Sequence, residues 1–247
     1  LVAKRVEMTQ MPEMVSLFNG VGGLASLGVG LATIYLTKDL SAFTLFVTFL
    51  TLFIGGVTFS GSILAWGKLS ERISGRSIVF KGQVITNSAV ILASIVSAAL
   101  FIQQPDNYTW LYLIIGLALL FGILAVLPIG GADMPVVISL LNSYSGLAAC
   151  AAGFVLENNL LIVAGALVGA SGIILTNIMC KAMNRSLVNV LTSGFKSVVN
   201  AEMKIEGEMK PMSPEDAYYV LEAAQSIVVI PGYGMAVAQA QHALKEL

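Results

Sequence analysis

The sequence predicts an all-α polytopic membrane protein, a bundle of six transmembrane helices, followed by the start of a smaller α/β domain. Hydrophobic residues make up 57% of the 247 residues, charged residues only 11%, and the mean hydropathy is +0.87. A soluble domain is about half apolar and about a quarter charged, so this chain has too few charges to cover a soluble surface. The net charge of −1 provides no basic field for nucleic acid, and two cysteines exclude a disulfide scaffold.

Six long windows without Asp, Glu, Lys, Arg or His define the predicted helices. They are 14–36, 40–66, 84–102, 108–128, 134–156 and 160–180. A helix needs about 20 apolar residues to cross ~30 Å of hydrocarbon, and each window approaches or exceeds that length. A single window also fits a buried helix of a soluble protein, but a succession of them predicts a membrane domain.

The loops between these windows differ in positive charge. On the side where residue 1 lies, eight basic side chains flank the predicted spans: Lys4, Arg5, Lys68, Arg72, Arg76, Lys81, Lys181 and Arg185. The loops on the other side carry one, Lys38. Cytoplasmic loops are enriched in Lys and Arg, so both ends of this segment are expected on the cytoplasmic side, or on the matrix side in a mitochondrion.

The composition changes after the last window and divides the chain. We interpret 1–180 as the transmembrane domain, 181–212 as a polar linker and 213–247 as the beginning of a soluble domain. The residues that follow Leu1 are not expected to form a signal peptide, and we expect the chain to begin inside a longer protein. The soluble domain is expected to be incomplete, because a parallel sheet cannot consist of one strand.

The last 35 residues predict the order helix, strand, turn, helix. Ser213 followed by Pro214 and two acidic residues is a helix-start pattern, and this helix is expected to reach about Gln225. The β-branched run 226–230 predicts a strand. An Ala/Gln-rich stretch up to Leu247 predicts the second helix. The expected architecture of this tail is therefore the start of a Rossmann-like α/β domain.

Two glycines lie between the predicted strand and the last helix, in the pattern Gly-x-Gly-x-x-Val. In dinucleotide-binding folds the first glycine permits the tight turn, and the second lets the backbone approach a pyrophosphate at the helix N-terminus. The candidate cofactor-binding residues are Gly232, Tyr233, Gly234, Ala236 and Val237. The same spacing also fits an ordinary β-turn-α connection, and the pattern alone does not separate the two.

Polar side chains inside the predicted spans form a second candidate site. Asn142 begins the run Asn-Ser-Tyr-Ser, and Asp133 is placed to cap the start of the same helix. Nine residues at a rise of 1.5 Å put Asn142 about 13 Å deeper than Asp133, near the bilayer midplane. An unpartnered amide in hydrocarbon costs several kcal/mol, so Asn142 and Asn19 are both expected to point into the bundle, toward a polar path reaching Asp133. Such residues either order water for a proton or join helices by hydrogen bonds.

Small residues recur in the last two spans and predict close helix packing. The fifth span contains Gly146, Ala149 and Gly153, and the sixth contains Gly165 and Gly169, which have three residues between them as in the small-xxx-small pattern. We interpret them as structural.

Several motifs together resemble one family over almost the whole chain. They are 5–13 (RVEMTQMPE), 129–137 (IGGADMPVV), 141–146 (LNSYSG), 165–169 (GALVG), 178–186 (IMCKAMNRS) and 231–241 (PGYGMAVAQAQ). In these segments the chain resembles the β subunit of the proton-translocating NAD(P) transhydrogenases.

The resemblance implies a division of labour. The membrane helices are part of a proton-conducting domain, and the tail begins a domain that binds NADP(H). An α subunit or α domain supplies the NAD(H) site, and hydride transfer from NADH to NADP+ is coupled to proton movement across the membrane. The complete enzyme is expected to be a dimer without a metal cofactor, in a bacterial plasma membrane or a mitochondrial inner membrane.

The resemblance also implies roles for individual residues. Asp133 and Asn142 match positions implicated in proton movement, and Gly232, Tyr233 and Gly234 match the pyrophosphate turn. Many members have a histidine where this chain has Asn19, and some have it instead at the position of Asn142. Asparagine does not titrate near neutral pH, so it orders water but cannot carry the proton as an imidazole does.

Two other functions remain open on the residues alone. One is a transporter or channel subunit with a cytoplasmic nucleotide-binding regulatory module. That function typically requires charged residues and broken helices at the midplane, and the six windows contain no charge. The other is a purely structural membrane subunit, in which the glycine turn and the polar run near Asn142 have no chemical role.

Overall fold

Six long helices form the first part of the computed structural model, which describes residues 10–37, 40–184, 186–187, 190, 213–230, 232, 235 and 241–246. They are α1 Met11–Leu36, α2 Ala42–Leu69, α3 Gln83–Gln103, α4 Tyr108–Val126, α5 Met134–Val155 and α6 Asn159–Ala182. All six are long and apolar enough to cross a membrane, which confirms the six predicted spans. The chain divides into two compact units, 1–199 and 200–247.

Side-chain caps fix the start of several of these helices. Ser41, Asn107 and Asn158 precede α2, α4 and α6, and each side-chain oxygen accepts a hydrogen bond from a backbone N–H of the first turn, at 3.0 to 3.1 Å. These bonds satisfy N–H groups that have no partner within the helix. The caps explain why short polar loops are sufficient to separate the spans.

Helix α2 extends beyond its predicted end and includes a buried lysine. The charge-free window ended at residue 66, and Lys68 was assigned to the loop, but the helix reaches Leu69 and Lys68 is only 3% exposed. Its ammonium donates to the carbonyl oxygens of Leu127 at 2.6 Å and Ile129 at 2.8 Å. Carbonyls at a helix C-terminus lack intrahelical donors and carry partial negative charge, so the end of α4 replaces the water that Lys68 has lost.

The core of the bundle is formed by α2 and α5. Helix α5 packs against α1, α2 and α6, while α2 also packs against α4. Two-thirds of the apolar window of α5 is buried (67%), against 22% for α6. The large exposed apolar surface of α6 is the surface expected of a helix in contact with lipid or with other membrane helices.

Glycines permit the closest helix contacts, as predicted for α5 and α6. A Cβ at Gly172 would lie 2.8 Å from the Cβ of Ser143, and one at Gly146 would collide with the backbone of Gly169. Helices α1 and α2 approach in the same way, because a Cβ at Gly23 would lie 2.8 Å from the carbonyl oxygen of Gly55. Backbones at this separation leave no room for a side chain.

The second unit is described over residues 213–230, 232, 235 and 241–246. Helix α7 covers Pro214–Ala223 and is capped by Ser213, whose hydroxyl accepts from the N–H of Asp216 at 3.1 Å, in agreement with the predicted helix start. Helix α8 covers Gln241–Glu246. Residues 226–230, predicted as a strand, form no strand, and none is found elsewhere in the described residues. A strand requires a neighbour to complete its backbone hydrogen bonds, and no second strand is available in the described part of this unit.

Candidate functional site

A buried polar junction joins three helices around Asn19. The Asn19 side chain on α1 donates from Nδ2 to the hydroxyl oxygen of Ser62 on α2 at 2.9 Å. Its Oδ1 accepts from the hydroxyl of Ser145 on α5 at 2.7 Å. Ser16, one turn before Asn19, donates to the backbone carbonyl oxygen of Ser62 at 2.9 Å. Asn19 is 9% exposed, which confirms the prediction that its amide points into the bundle.

The junction lies near the middle of the bundle. Asn19 is eight residues into α1, Ser145 is eleven residues into α5, and Ser62 is seven residues before the end of α2. At 1.5 Å per residue these distances correspond to depths of roughly 10–17 Å, within a hydrocarbon core of about 30 Å. Hydrogen bonds at this depth satisfy polar groups that lipid cannot satisfy.

The prediction that Asn142 points into the bundle is wrong. Its side chain is exposed on the surface of the six helices, and Ser145 of the same polar run makes the contact with Asn19 instead. Successive residues of a helix are about 100° apart, so Asn142 lies between the face of α5 that carries Ser143 and the face that carries Ser145. Ser143 contacts α6 and Ser145 contacts α1, and Asn142 is left at the gap between those two helices.

Asp133 is buried at the entrance of α5, with 6% exposure. It occupies the predicted N-cap position, but its side chain makes no capping hydrogen bond to the helix. Asp133 is the last residue of the short 3-10 turn Gly131–Asp133. This turn is fixed by a hydrogen bond of 2.8 Å from the N–H of Gly131 to the carbonyl oxygen of Gly75.

Within the described residues no group of three or more acidic, histidine or cysteine side chains could hold a metal ion.

A second set of hydroxyls lies between α5 and α6. Ser143 donates to the backbone carbonyl of Gly169 at 2.7 Å, and Ser139 donates to that of Gly172 at 3.3 Å. Thr176 donates to the same Gly172 carbonyl at 2.7 Å and lies 3.1 Å from the hydroxyl of Ser139. The bonds of Ser139 and Ser143 to backbone carbonyls of α6, and the contact between the Thr176 and Ser139 hydroxyls, join the two helices, whereas the bond from Thr176 to Gly172 lies within α6.

Of the predicted cofactor-binding residues, only Gly232 lies within the described part of the chain. Its carbonyl oxygen accepts a hydrogen bond from the N–H of Met235 at 3.1 Å. Among the described residues, no atom lies within 4 Å of the position that a Cβ of Gly232 would occupy. The other four, Tyr233, Gly234, Ala236 and Val237, lie outside the described residues.

Sequence reasoning missed Ser62 and Lys68. Ser62 belongs to the run Ser60-Gly61-Ser62, and this cluster of small and polar residues inside an apolar span was the available signal. Lys68 carried no such signal, because the acceptors of its two shortest hydrogen bonds lie about sixty residues away in sequence.

The whole chain is similar to known proteins. A family model described as "NAD(P) transhydrogenase beta subunit" matches residues 1–247. Two relatives, both named "NAD(P) transhydrogenase subunit beta", come from Rhodospirillum rubrum and from a defined strain of that species. Each is 43% identical over 259 aligned positions, which cover 100% of this chain and 56% of the relative. The chain therefore spans about half the length of the curated relatives that it matches.

Proposed function

Because the chain belongs to the NAD(P) transhydrogenase beta subunit family, we propose that it is the membrane component of a proton-translocating NAD(P) transhydrogenase. In this function, hydride transfer from NADH to NADP+ is coupled to the movement of protons across the membrane. The observation that carries the proposal is the family match over all 247 residues. Six apolar helices with a buried polar junction support a role inside the membrane.

NADP(H) is assigned to the segment that begins at residue 213, and NAD(H) to an α subunit or α domain. The glycine at position 232 and the match of the whole chain to the beta subunit family support this assignment, because glycine lets the backbone approach a pyrophosphate. Residues 232–237 would hold the pyrophosphate in a turn before a helix. The bound nicotinamide would accept the hydride, and the chain's own residues would orient it.

The junction at Asn19 is proposed to order the path of the proton. Its hydrogen bonds have one direction, from the Ser145 hydroxyl to the Asn19 carbonyl oxygen and from the Asn19 amide to the Ser62 hydroxyl. Neither amide nor hydroxyl titrates near neutral pH, so these groups position water rather than hold the proton. The chain of donors crosses three helices, and a small shift between the helices would therefore break it.

Asn142 and Asp133 are proposed to complete this path at its outer side. Asn142 is exposed at the gap between α1 and α6, and we expect helices from the rest of the complex to cover it. A covered amide requires partners, and a titratable group on those helices would meet Asn142 there. Asp133, buried about 13 Å away along α5, would exchange the proton at the mouth.

The complete enzyme is proposed to be a dimer in a bacterial plasma membrane or a mitochondrial inner membrane. The excess of basic residues near one end of the spans supports placing both ends of this segment on the cytoplasmic or matrix side. A transporter or channel with a regulatory nucleotide module is not favoured. The family match over the whole chain favours the transhydrogenase. In addition, the buried Lys68 binds a backbone carbonyl at the end of α4 and is not available for a substrate.

The test is an assay of the complete complex in sealed vesicles. The rate of NADP+ reduction by NADH is measured with an imposed proton gradient and after a protonophore has collapsed it. We expect the gradient to accelerate the reaction and its collapse to remove the acceleration. A rate that is independent of the gradient would contradict coupling, and solute transport without hydride transfer would support the alternative function.

The cofactor assignment is tested by Gly234→Leu in the full-length protein. A side chain at this position would block the approach of the backbone to the pyrophosphate, so NADP(H) binding should weaken at least tenfold. Isothermal titration calorimetry measures the affinity, and Ala243→Leu on α8 is the matched control. An unchanged NADP(H) affinity for Gly234→Leu would remove the proposed role of the turn.

A further inference from the structure

A cavity of about 320 Å³ opens between α3 and α5, with α4 at its floor. One face of α3 lines it with Val84, Asn87, Ser88 and Ile91, and α4 contributes Ala125. The α3 residues recur at intervals of three and four, as one helix stripe does. They cover the first eight or nine residues of α3, so the cavity lies in the half of the bundle nearest the α2–α3 loop. Its volume falls in the range of small-ligand sites.

The α2–α3 loop, residues 70–82, is bound to the rim of this cavity. The N–H of Ile78 donates to the carbonyl oxygen of Leu127 at 3.3 Å, and the Ser77 hydroxyl donates to that of Pro128, a lining residue. Arg76 directly precedes Ser77, and Lys81 lies three residues before the lining residue Val84. Both basic side chains are exposed. The loop that is bound to the rim of this apolar cavity therefore carries two exposed cationic side chains within a few residues of the lining.

We propose that this cavity is a binding site for one anionic phospholipid of the adjacent leaflet. An acyl chain lies between α3 and α5, and the phosphate lies at Arg76 and Lys81. Basic pockets between membrane helices on the cytoplasmic or matrix side are a general means of binding anionic lipid headgroups. The inference does not depend on the transhydrogenase function, because it uses only the cavity and the charges at its rim.

The distribution of polarity favours an anionic lipid over a helix from another protein. The lining is apolar except for Asn87, Ser88 and Tyr144. The exposed basic residues Arg76 and Lys81 belong to the loop at one end of the cavity. A phospholipid has the same arrangement, with an apolar chain and an anionic group at one end.

Asn87 places a polar side chain in the lining of the cavity. Its Oδ1 is buried and accepts no hydrogen bond from the part of the chain that the structure describes. A buried acceptor without a donor is costly, and water that enters with a hydrated headgroup would supply one. A hydrated phosphate near the start of α3 is therefore consistent with the position of Asn87, about 6 Å into that helix.

The experiment titrates the complete, delipidated complex with phosphatidylglycerol in detergent and counts bound lipids by native mass spectrometry. Phosphatidylcholine, which has no net charge, is the reference lipid. Arg76→Gln with Lys81→Gln should weaken phosphatidylglycerol binding about thirtyfold, at about fivefold per basic side chain. Ala125→Phe, which fills the cavity, should abolish the strongest binding event. Ser88→Leu is the second cavity variant, in case Ala125→Phe does not assemble.

Two control variants are matched to these changes. Arg72→Gln removes a charge from the same loop, but its guanidinium lies over the Trp66 ring at 4.7 Å. Ile123→Phe adds bulk to α4 on its exposed face. Both should bind phosphatidylglycerol within about twofold of the parent. The proposal is overturned if the Arg76 and Lys81 variant binds normally, if both cavity variants retain the lipid, or if the controls lose it equally.

Discussion

The junction at Asn19 and the seam between α5 and α6 contain similar side chains but use them differently. In the seam, Ser139 and Ser143 on α5 donate to the backbone carbonyls of Gly172 and Gly169 on α6. In the junction, Asn19 bonds to two hydroxyls on two other helices. A bond to a backbone carbonyl fixes the separation of two helices, whereas a chain of side chains also fixes the direction of its hydrogen bonds. Polar residues at similar depth in one bundle are therefore not equivalent.

The glycines of α6 explain this difference. Gly165, Gly169 and Gly172 let the two backbones approach, so a short serine side chain on α5 reaches the carbonyls of α6 directly. Helix α5 meets α1 with fewer contacts, and the longer Asn19 side chain is needed to span that gap. The contact between α5 and α6 is therefore expected to determine whether the helix bundle assembles. The junction at Asn19 is expected to determine whether hydride transfer is coupled to proton movement.

The largest expected effect is that of Gly146→Val in the seam. A side chain there would collide with the backbone of Gly169, and neither backbone can yield. We expect a loss of roughly 3 kcal/mol in bundle stability, at the upper end for overpacking. Size-exclusion chromatography and thermal unfolding of the complex measure it. Gly116→Val is the control, because no atom of the described part of the chain lies within 4 Å of a Cβ at Gly116. Equal damage from both variants would mean that the seam has no special role.

The second-largest loss of stability is expected for Lys68→Met, which extends the comparison to a charged side chain. Methionine keeps the length but removes the donors to the carbonyls of Leu127 and Ile129. Hydrogen bonds from charged groups contribute about 1.5–3 kcal/mol, so we expect a loss of roughly 2 kcal/mol. The midpoint of thermal unfolding in detergent measures it. A variant as stable as the parent would mean that the end of α4 is satisfied in another way.

The smallest effect is expected for Ser143→Ala. Hydrogen bonds between membrane helices average about 0.6 kcal/mol, so the loss of the bond to Gly169 should lower stability by roughly that amount. Coupled transhydrogenation in vesicles should be retained, because this hydroxyl bonds to backbone rather than to the junction. Loss of coupling in an assembled Ser143→Ala complex would erase the distinction between seam and junction.

The six helices could be predicted from the sequence because the rule behind them is local. The window 134–156 and the helix Met134–Val155 differ by one residue at the end, since hydrocarbon thickness and the absence of charge set both. The predicted second span, 40–66, ended before the helix does at Leu69, because a window defined by the absence of charge cannot include Lys68. The oxygens that solvate Lys68 belong to the end of α4, which a local rule cannot identify.

The candidate site was predicted only in part, for a related reason. The cost of burying an amide correctly predicted the orientation of Asn19, but it does not identify which face of α5 is inward. That face depends on the positions of α1 and α6, and Asn142 lies at the gap between them. The strand predicted at 226–230 similarly depends on neighbours that its own residues do not encode.

Proton translocation by the complete complex carrying Asn19→Leu tests the central claim most directly. Leucine removes both the donor to Ser62 and the acceptor for Ser145 while keeping a similar size. In sealed vesicles, the assembled variant should lose at least tenfold in gradient-driven NADP+ reduction, whereas Ser143→Ala complexes retain it. An assembled Asn19→Leu complex that couples hydride transfer to proton movement as well as the parent would contradict the claim.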